Sequence, residues 1–357
     1  MALTINIPDT LRKSVEAASG GRNTVLYTAK GQPCYMAVIP KFTLQSIDAS
    51  LGTGTHPAFI VGGVEKAQLF IGQHIGVSRN GEMLSLPGVD PINAINHDAA
   101  VSLVRANGSG WHLMSNVEWA ALSQWCWKNG FQPRGNTAHG RSSDLITEVG
   151  VRSDGATVTG GSIGSQGRTL TGSGPVSWRH DNTPFGIADL NGNVWEWSPG
   201  MRMVDGELQI LENNNAALSD ADFGVSSTQW RAVDGATGAL VTPGTAGTVK
   251  YAAANSGTAD FTLYRASGSS FEGMVNSTGA NPVGATALQR LKQYGLFPIA
   301  GSGLGGDGVY MTIAGERLPF RGGVWGNGAI AGVFALNLNN VRSYSSSLVG
   351  ARPAFVL

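Results

Sequence analysis

Apolar residues recur along this chain with two different periods, and the switches between them mark its elements. Leu3 to Ile7 alternates as a short strand. After Pro8-Asp9-Thr10, residues Leu11, Val15 and Ala18 recur at helical spacing until Gly20-Gly21 ends the run. Two strand-like runs, Thr24 to Ala29 and Pro33 to Ile39, flank Lys30-Gly31-Gln32 and predict a hairpin. Residues 1–45 thus read as a small β-rich N-terminal unit serving attachment or assembly. Phe59-Ile60-Val61 and Ala67 to Ile71, each followed by glycine, predict buried strands. Asn96 to Ala106 predicts a helix with Ala100, Val101 and Val104 on one face. A better-marked amphipathic helix opens at the capping box Ser115-Asn-Val-Glu118, carries Trp119, Leu122 and Cys126 at i, i+3 and i+7, and stops at Asn129-Gly130.

Elsewhere the periods lapse. Gly, Ser and Thr dominate residues 135–174 without a sustained period, which predicts a long loop or insertion. Residues 203–310 hold short strand candidates, Gly247 to Ala252 and Ala259 to Tyr264. One helix is predicted near Thr286 to Tyr294, with Leu288 and Leu291 inward and Gly295 at its end. Both stretches read as insertions into a domain spanning 46–357. Between them, the alternation in Val194-Trp195-Glu196-Trp197 sets the two tryptophans on one strand face and Val194 with Glu196 on the other. The predicted class is α+β.

Composition narrows the function. Only 13% of residues are charged, about half the roughly 25% usual in soluble domains, and 51 glycines are about twice the usual share. With 24 basic and 24 acidic residues the net charge is zero, so nothing marks a surface for nucleic acid or anionic lipid. No apolar run approaches the roughly 18 residues of a membrane span, and the N-terminal residues lack a basic segment followed by an apolar one, so the chain is expected to be made in the cytosol without a signal peptide. Cys34 and Cys126 are expected to be buried thiols rather than a disulfide framework.

Three separated segments carry a resemblance. Trp111-His-Leu-Met-Ser115-Asn-Val-Glu118-Trp119-Ala120 is similar to one helix start. Phe185-Gly-Ile-Ala-Asp189-Leu-Asn191-Gly-Asn193-Val-Trp195-Glu196-Trp197 is close to an F-G-L-x-D-M-x-G-N-V-W-E-W signature. Arg321-Gly-Gly-Val-Trp325 with Gly350-Ala-Arg352-Pro353 matches R-G-G-S-W and G-F-R. In this order they resemble the C-type lectin fold of the formylglycine-generating, sulfatase-modifying type, over roughly Phe42 to Leu357. That fold is what the resemblance implies. Related folds bind calcium near the second segment, so Asn193 and Glu196 are candidate oxygen ligands of a structural calcium ion, against the alternative that the segment is packing. Enzymes of this type carry reactive cysteines in their C-terminal part. This chain has no cysteine beyond Cys126, so metal-dependent oxidation of that kind is not expected and no catalytic residue is assigned.

The C-terminal segment further resembles the variable proteins of diversity-generating retroelements, including phage tropism determinants. The similarity lies in Ala331-Gly-Val-Phe334, Leu336-Asn-Leu-Asn-Asn340, Arg342-Ser343 and Gly350. In that family adenines of Asn codons are randomised, leaving scattered variable positions in a fixed frame. Within the variable region 321–353, the resemblance assigns diversified, ligand-contacting roles to Val324, Gly326, Ile330, Ala335, Val341, Tyr344, Ser346, Ser347 and Leu348. Arg321, Trp325, Asn337, Asn339, Arg342 and Arg352 are framework. Val324, Ile330, Val341, Tyr344 and Leu348 would form a mostly apolar, uncharged patch, which suits a protein or cell-surface receptor. The implied protein is a receptor-binding component of a phage or prophage tail, assembled in the cytoplasm, with a homotrimer as the expected oligomer and no cofactor beyond the calcium. The alternatives are the oxidase and an invariant structural virion or surface protein.

Other chemistry finds little support. The six histidines show no H-x-x-x-H or H-E-x-x-H spacing, and His97-Asp98 and His180-Asp181 read as surface or capping pairs. Gly160-Gly-Ser162-Ile-Gly164 matches the nucleophile-elbow pattern without a strand before it or a helix after it, and no phosphate-binding Gly-Lys loop occurs.

Overall fold

Asp9 starts the first helix by accepting from the Arg12 backbone N–H (2.9 Å), and Gly20 ends it in the left-handed region, which a side chain would make costly. This helix, α1 (Thr10–Ser19), is seen in a computed structural model that describes residues 9–158, 167–252, 259–265 and 270–357. The strand expected at Leu3 to Ile7 and the Ser162 motif lie outside the described residues. The other main helices are α2 (His97–Arg105), α3 (Asn116–Lys128) and α4 (Ala285–Gln293). Ten strands build two five-stranded sheets: β1 (Asn23–Tyr27), β2 (Pro33–Pro40), β3 (Gln68–Gly72), β4 (Trp111–Leu113), β5 (Trp195–Trp197), β6 (Val309–Met311), β7 (Phe320–Gly322), β8 (Gly332–Leu338), β9 (Val349–Gly350) and β10 (Pro353–Phe355). The fold is mixed α+β, mostly sheet with few helices.

The first sheet runs β1-β2-β3-β10-β4, antiparallel throughout. The N-terminal hairpin is therefore one flank of a sheet that the last strand of the chain completes. Phe355 lies opposite both Phe70 and Trp111, and the rings meet edge to face at 5.9 and 5.3 Å. The second sheet runs β6-β8-β7-β5-β9.

Arg352 sits between these sheets, one residue before β10 and two after β9. Its Nε and Nη2 donate to Glu196 Oε2 (3.0 Å) and Oε1 (2.7 Å) on β5, and its Nη1 donates to the Gly72 carbonyl on β3 (2.9 Å). One guanidinium thus binds a strand of each sheet. Fully buried, it makes a bidentate pair whose worth depends on both partners staying in place.

The helix α3 begins as its sequence predicts. Ser115 Oγ accepts from the Glu118 N–H and Glu118 Oε2 from the Ser115 N–H, while His112 Nε2 and Asn214 Nδ2 hold Oε1. Burial acts against the charged form of His112, but the Glu118 carboxylate overcomes it and raises its pKa. The expected amphipathicity is corrected. Asn116 through Gln124 are all buried, because the helix lies against β8, α4 and the short helices at Leu44–Ile47 and Pro57–Phe59 rather than against solvent.

Residues 203–310 hold the predicted strands near Gly247 to Ala252 and Ala259 to Tyr264 and the predicted helix, together with further short strands that the sequence does not mark. With flanking residues they form most of an eight-stranded sheet: Met201–Val204, Glu207–Ile210, Arg231–Val233, Leu240–Val241, Lys250–Ala252, Thr262–Arg265, Met274–Asn276 and Glu316–Arg317. Strands of two to four residues give a period of two no room to show. Leu208, Ile210, Val233, Tyr251 and Leu263 share one core with Ile39, Leu69, Trp119 and Leu336, so this sheet packs into the framework.

Both cysteines are free and buried, as expected. In both His-Asp pairs the histidine is buried, while the Asp98 side chain stays 57% exposed. His97 is buried edge-on against Trp197 (5.5 Å) and Phe223 (5.8 Å), and His180 is buried against Trp125 (5.2 Å).

Candidate ligand-binding face

Two loops leave the second sheet, one on either side of β8. The first joins β7 to β8 after a bulge at Arg321/Gly322. Gly322 and Gly323 have φ of 90° and 92°, and a Cβ on Gly323 would come within 2.5 Å of the Ala331 Cβ, so the tight exit requires glycine. Asn327 closes the loop on itself: its Oδ1 accepts from the Val324 N–H (2.9 Å) and its N–H donates to the Val324 carbonyl (2.9 Å). Outside contacts fix it further. Gly328 N–H donates to Thr137 O, Trp325 N–H to Asn193 O, and His139 N–H to Trp325 O, while the Trp325 ring lies 4.7 Å from the His139 ring. The expected frame residue Trp325 and its loop are thus clamped by Thr137, His139 and Asn193.

The second loop joins β8 to β9. Asn337 Oδ1 accepts from the Asn339 N–H (2.9 Å), and Asn339 Oδ1 accepts from Thr312 Oγ1 (3.1 Å). Arg342 is its hub. Its guanidinium donates to Glu316 through Nε (3.2 Å) and Nη2 (3.0 Å), to Asp98 Oδ1 through Nη1 (2.8 Å), and to the Phe223 carbonyl (2.6 Å). Arg202 pairs with the same Glu316 (3.0 Å). Beside this network opens a groove of about 330 Å³, lined by Val341, Ser343 and Val225. Arg321, by contrast, is buried without a carboxylate: Nε and Nη2 donate to Asn116 Oδ1 (3.0 and 2.7 Å) and Nη2 to the Gly295 carbonyl (2.8 Å). Burial lowers its pKa to about 10.

Seven of the nine positions expected to vary lie wholly or partly at the surface: Gly326, Ile330, Val341, Tyr344, Ser346, Ser347 and Leu348. Ile330, Val341 and Tyr344 are 44%, 42% and 36% exposed, high for apolar side chains. Two positions are corrected. Val324 is 6% exposed and Ala335 is 0%, both packed with Trp195, Trp197 and Phe320, so neither faces a partner. Ala329 and Ser345, which the sequence reading does not single out, and Ser343, which it places in the frame, are exposed on the same loops.

The register separates the exposed set into two patches. Gly322 pairs with Gly332, and Val349 with Trp195, at one end of the sheet. Phe320 pairs with Asn337 and Trp197 at the other. Gly326, Ile330 and Leu348, whose carbonyl accepts from the Trp195 N–H, belong to the first end. Val341 and Tyr344, whose ring lies 5.9 Å from Phe320, belong to the second. Along an extended strand Gly332 to Leu338 spans up to about 20 Å.

The calcium reading meets a different arrangement. Both Glu196 oxygens accept from Arg352. Asn193, held at φ 63°, accepts at Oδ1 from the Thr169 N–H (2.9 Å) and donates through Nδ2 to the Thr169 carbonyl (3.1 Å). These atoms are occupied in staying the sheet and loop.

No family model matches the chain, and no curated protein matches it. Among solved structures it is similar to PvdO from Pseudomonas aeruginosa, with 13% identity and a TM-score of 0.36 over 94% of this chain and 98% of that one. It is also similar to Treponema denticola variable protein 1, with 11% identity and a TM-score of 0.33 over 93% and 98%.

No helix among the described residues is long and apolar enough to cross a membrane. Burial pushes the Cys34 thiol up to about 12 and raises that of Cys126, which disfavours the reactive thiolate at both.

Proposed function

We propose that the chain is a non-enzymatic ligand-binding protein of C-type lectin type, whose segment 321–353 displays a diversified surface, and that it serves a phage or prophage as a receptor-binding protein. The carrying observation is the contrast inside that segment. Exposed Ile330, Val341 and Tyr344 stand on loops whose flanks are fixed by Arg321, Asn327, Arg342 and Arg352. Residues that hold the backbone are thereby separated from residues free to change, the arrangement that lets a scaffold vary its ligand without refolding. The apolar, uncharged character of the exposed set favours a protein surface as ligand. The two raised thiols support the non-enzymatic reading over an oxidase.

A displayed library randomised at Gly326, Ile330, Val341, Tyr344, Ser346, Ser347 and Leu348 tests this. Most clones should retain cooperative unfolding, and selection on a folded protein target should recover binders with changes at both ends of the sheet. Wholesale misfolding of the library would overturn the proposal.

A further inference from the structure

Beside the Gly326–Ile330 patch lies a polar cavity of about 630 Å³ that no role above uses. Its floor is Asp307. This carboxylate is buried, with Oδ2 accepting from the Phe334 N–H (2.7 Å), and it forms no ion pair with Lys, Arg or His among the described residues. Two glycines make room for it: a Cβ on Gly332 would come within 2.1 Å of Oδ1, and one on Gly305 within 2.6 Å. Asn191 lines the same cavity. Its Nδ2 donates to the Pro133 carbonyl (2.9 Å), but its buried Oδ1 accepts from no donor among the described residues. A buried amide oxygen without a donor carries an uncompensated desolvation cost unless something fills the role.

The other charged groups narrow the choice. Arg134 reaches the cavity wall but is bound to Glu148 by two hydrogen bonds (2.9 and 2.5 Å), so its charge is already met. Asp144 lines the mouth, and Glu272 lies near enough to act on Asp307. The site is acidic, and the donors on its wall are already engaged, Arg134 by Glu148 and Gln132 Nε2 by the Gly303 carbonyl (2.6 Å), with Trp127, Ala329 and Val333 beside them. A divalent metal ion fits poorly, since no group of three or more His, Cys, Asp and Glu among the described residues could hold one and the space far exceeds an ion. An ammonium carries three donors and no acceptor, and a methylene stem suits apolar walls.

We infer that this cavity is a binding site for a primary ammonium on an aliphatic stem, such as a lysine side chain, received by Asp307 and Asn191 Oδ1. The site is built from fixed residues of the fold, so it holds whether or not the neighbouring loops diversify. Burial first, then the nearby Glu272 and Asp144 carboxylates, raise Asp307 well above the ordinary carboxyl range, with the Phe334 N–H opposing. Ammonium binding should accordingly strengthen as pH rises and Asp307 ionises.

The test is titration of the full chain with Nα-acetyl-lysine methylamide, Nα-acetyl-norleucine methylamide and calcium chloride, followed by calorimetry and by amide NMR shifts. The lysine derivative should bind saturably, shift Gly332, Val333 and the Asn191 side-chain amide, and bind more tightly as pH increases. The norleucine derivative should not bind. Asp307→Asn keeps an acceptor for the Phe334 N–H and should weaken the lysine derivative about tenfold or more, in line with loss of a charge-assisted bond. Asp144→Asn, at an exposed residue, should weaken it less and serves if Asp307→Asn fails to fold. Equal binding of the norleucine derivative, no saturable binding, or calcium producing the same shifts with greater affinity would each overturn the assignment.

Discussion

Arg352 and Arg342 belong to the same C-terminal segment and serve opposite regions of it. Arg352 lies in the interior where the two five-stranded sheets meet, with all its contacts buried and one carboxylate, Glu196, as counter-charge. Arg342 lies partly buried at the rim, 18% exposed, where it gathers Glu316, Asp98 and a carbonyl beneath an exposed loop. The first kind of contact is costly to break because it strands a charge away from water. The second is screened and worth little to global stability. A segment can therefore hold a rigid interior and tolerate change at its rim, and the chemistry of each arginine tells which is which.

The largest way to break the comparison is Arg352→Met. It should destabilise the fold by about 3–5 kcal/mol in denaturant titrations, because Glu196 is left buried and unpaired. Adding Glu196→Leu should recover a substantial part of that loss. A single variant within error of the parent would place the pair outside the framework. A smaller effect is expected from Gly332→Ala, whose new methyl would meet Asp307, at about 1–3 kcal/mol. Gly326→Ala is its control, with nothing nearer than His139 Cε1 at 3.8 Å, and should be close to neutral. The smallest effect belongs to Arg342→Ala, at most about 1 kcal/mol globally. Its expected signature is faster limited proteolysis within 339–348, and equal loss from Arg342→Ala and Arg352→Met would erase the distinction.

How far these regions could be read from sequence follows from the same contrast. The helices α1, α2 and α3 are legible because each has a capping side chain and several turns of periodic apolar residues, and the Trp195/Trp197 alternation survives because the two faces of β5 differ. The strand β8 was less readable. Gly332 to Leu338 is buried on both faces except for Asn337, so nothing in Gly-Val-Phe-Ala-Leu-Asn-Leu shows that Ala335 points inward. Val324 was misplaced for a related reason: Asn327 folds the loop back over it, and that closure depends on a side-chain bond. Asp307 stood in Leu-Gly-Gly-Asp-Gly-Val, which reads as a polar turn, and only the backbone of β8 turns it into a buried carboxylate. Within 203–310 the sequence marks only two strands of the sheet, those at Lys250–Ala252 and Thr262–Arg265, because the others are too short for a period to show.

The central claim, that the exposed rim varies over an unvarying frame, is tested most directly by sequencing this locus across sister isolates. The account predicts adenine-directed changes concentrated at Gly326, Ile330, Val341, Tyr344 and Ser346 to Leu348, with Arg321, Arg352, Gly332 and the buried Val324 and Ala335 held or replaced only by residues of similar size. An invariant segment, or changes falling equally on Arg321 and Arg352, would contradict it.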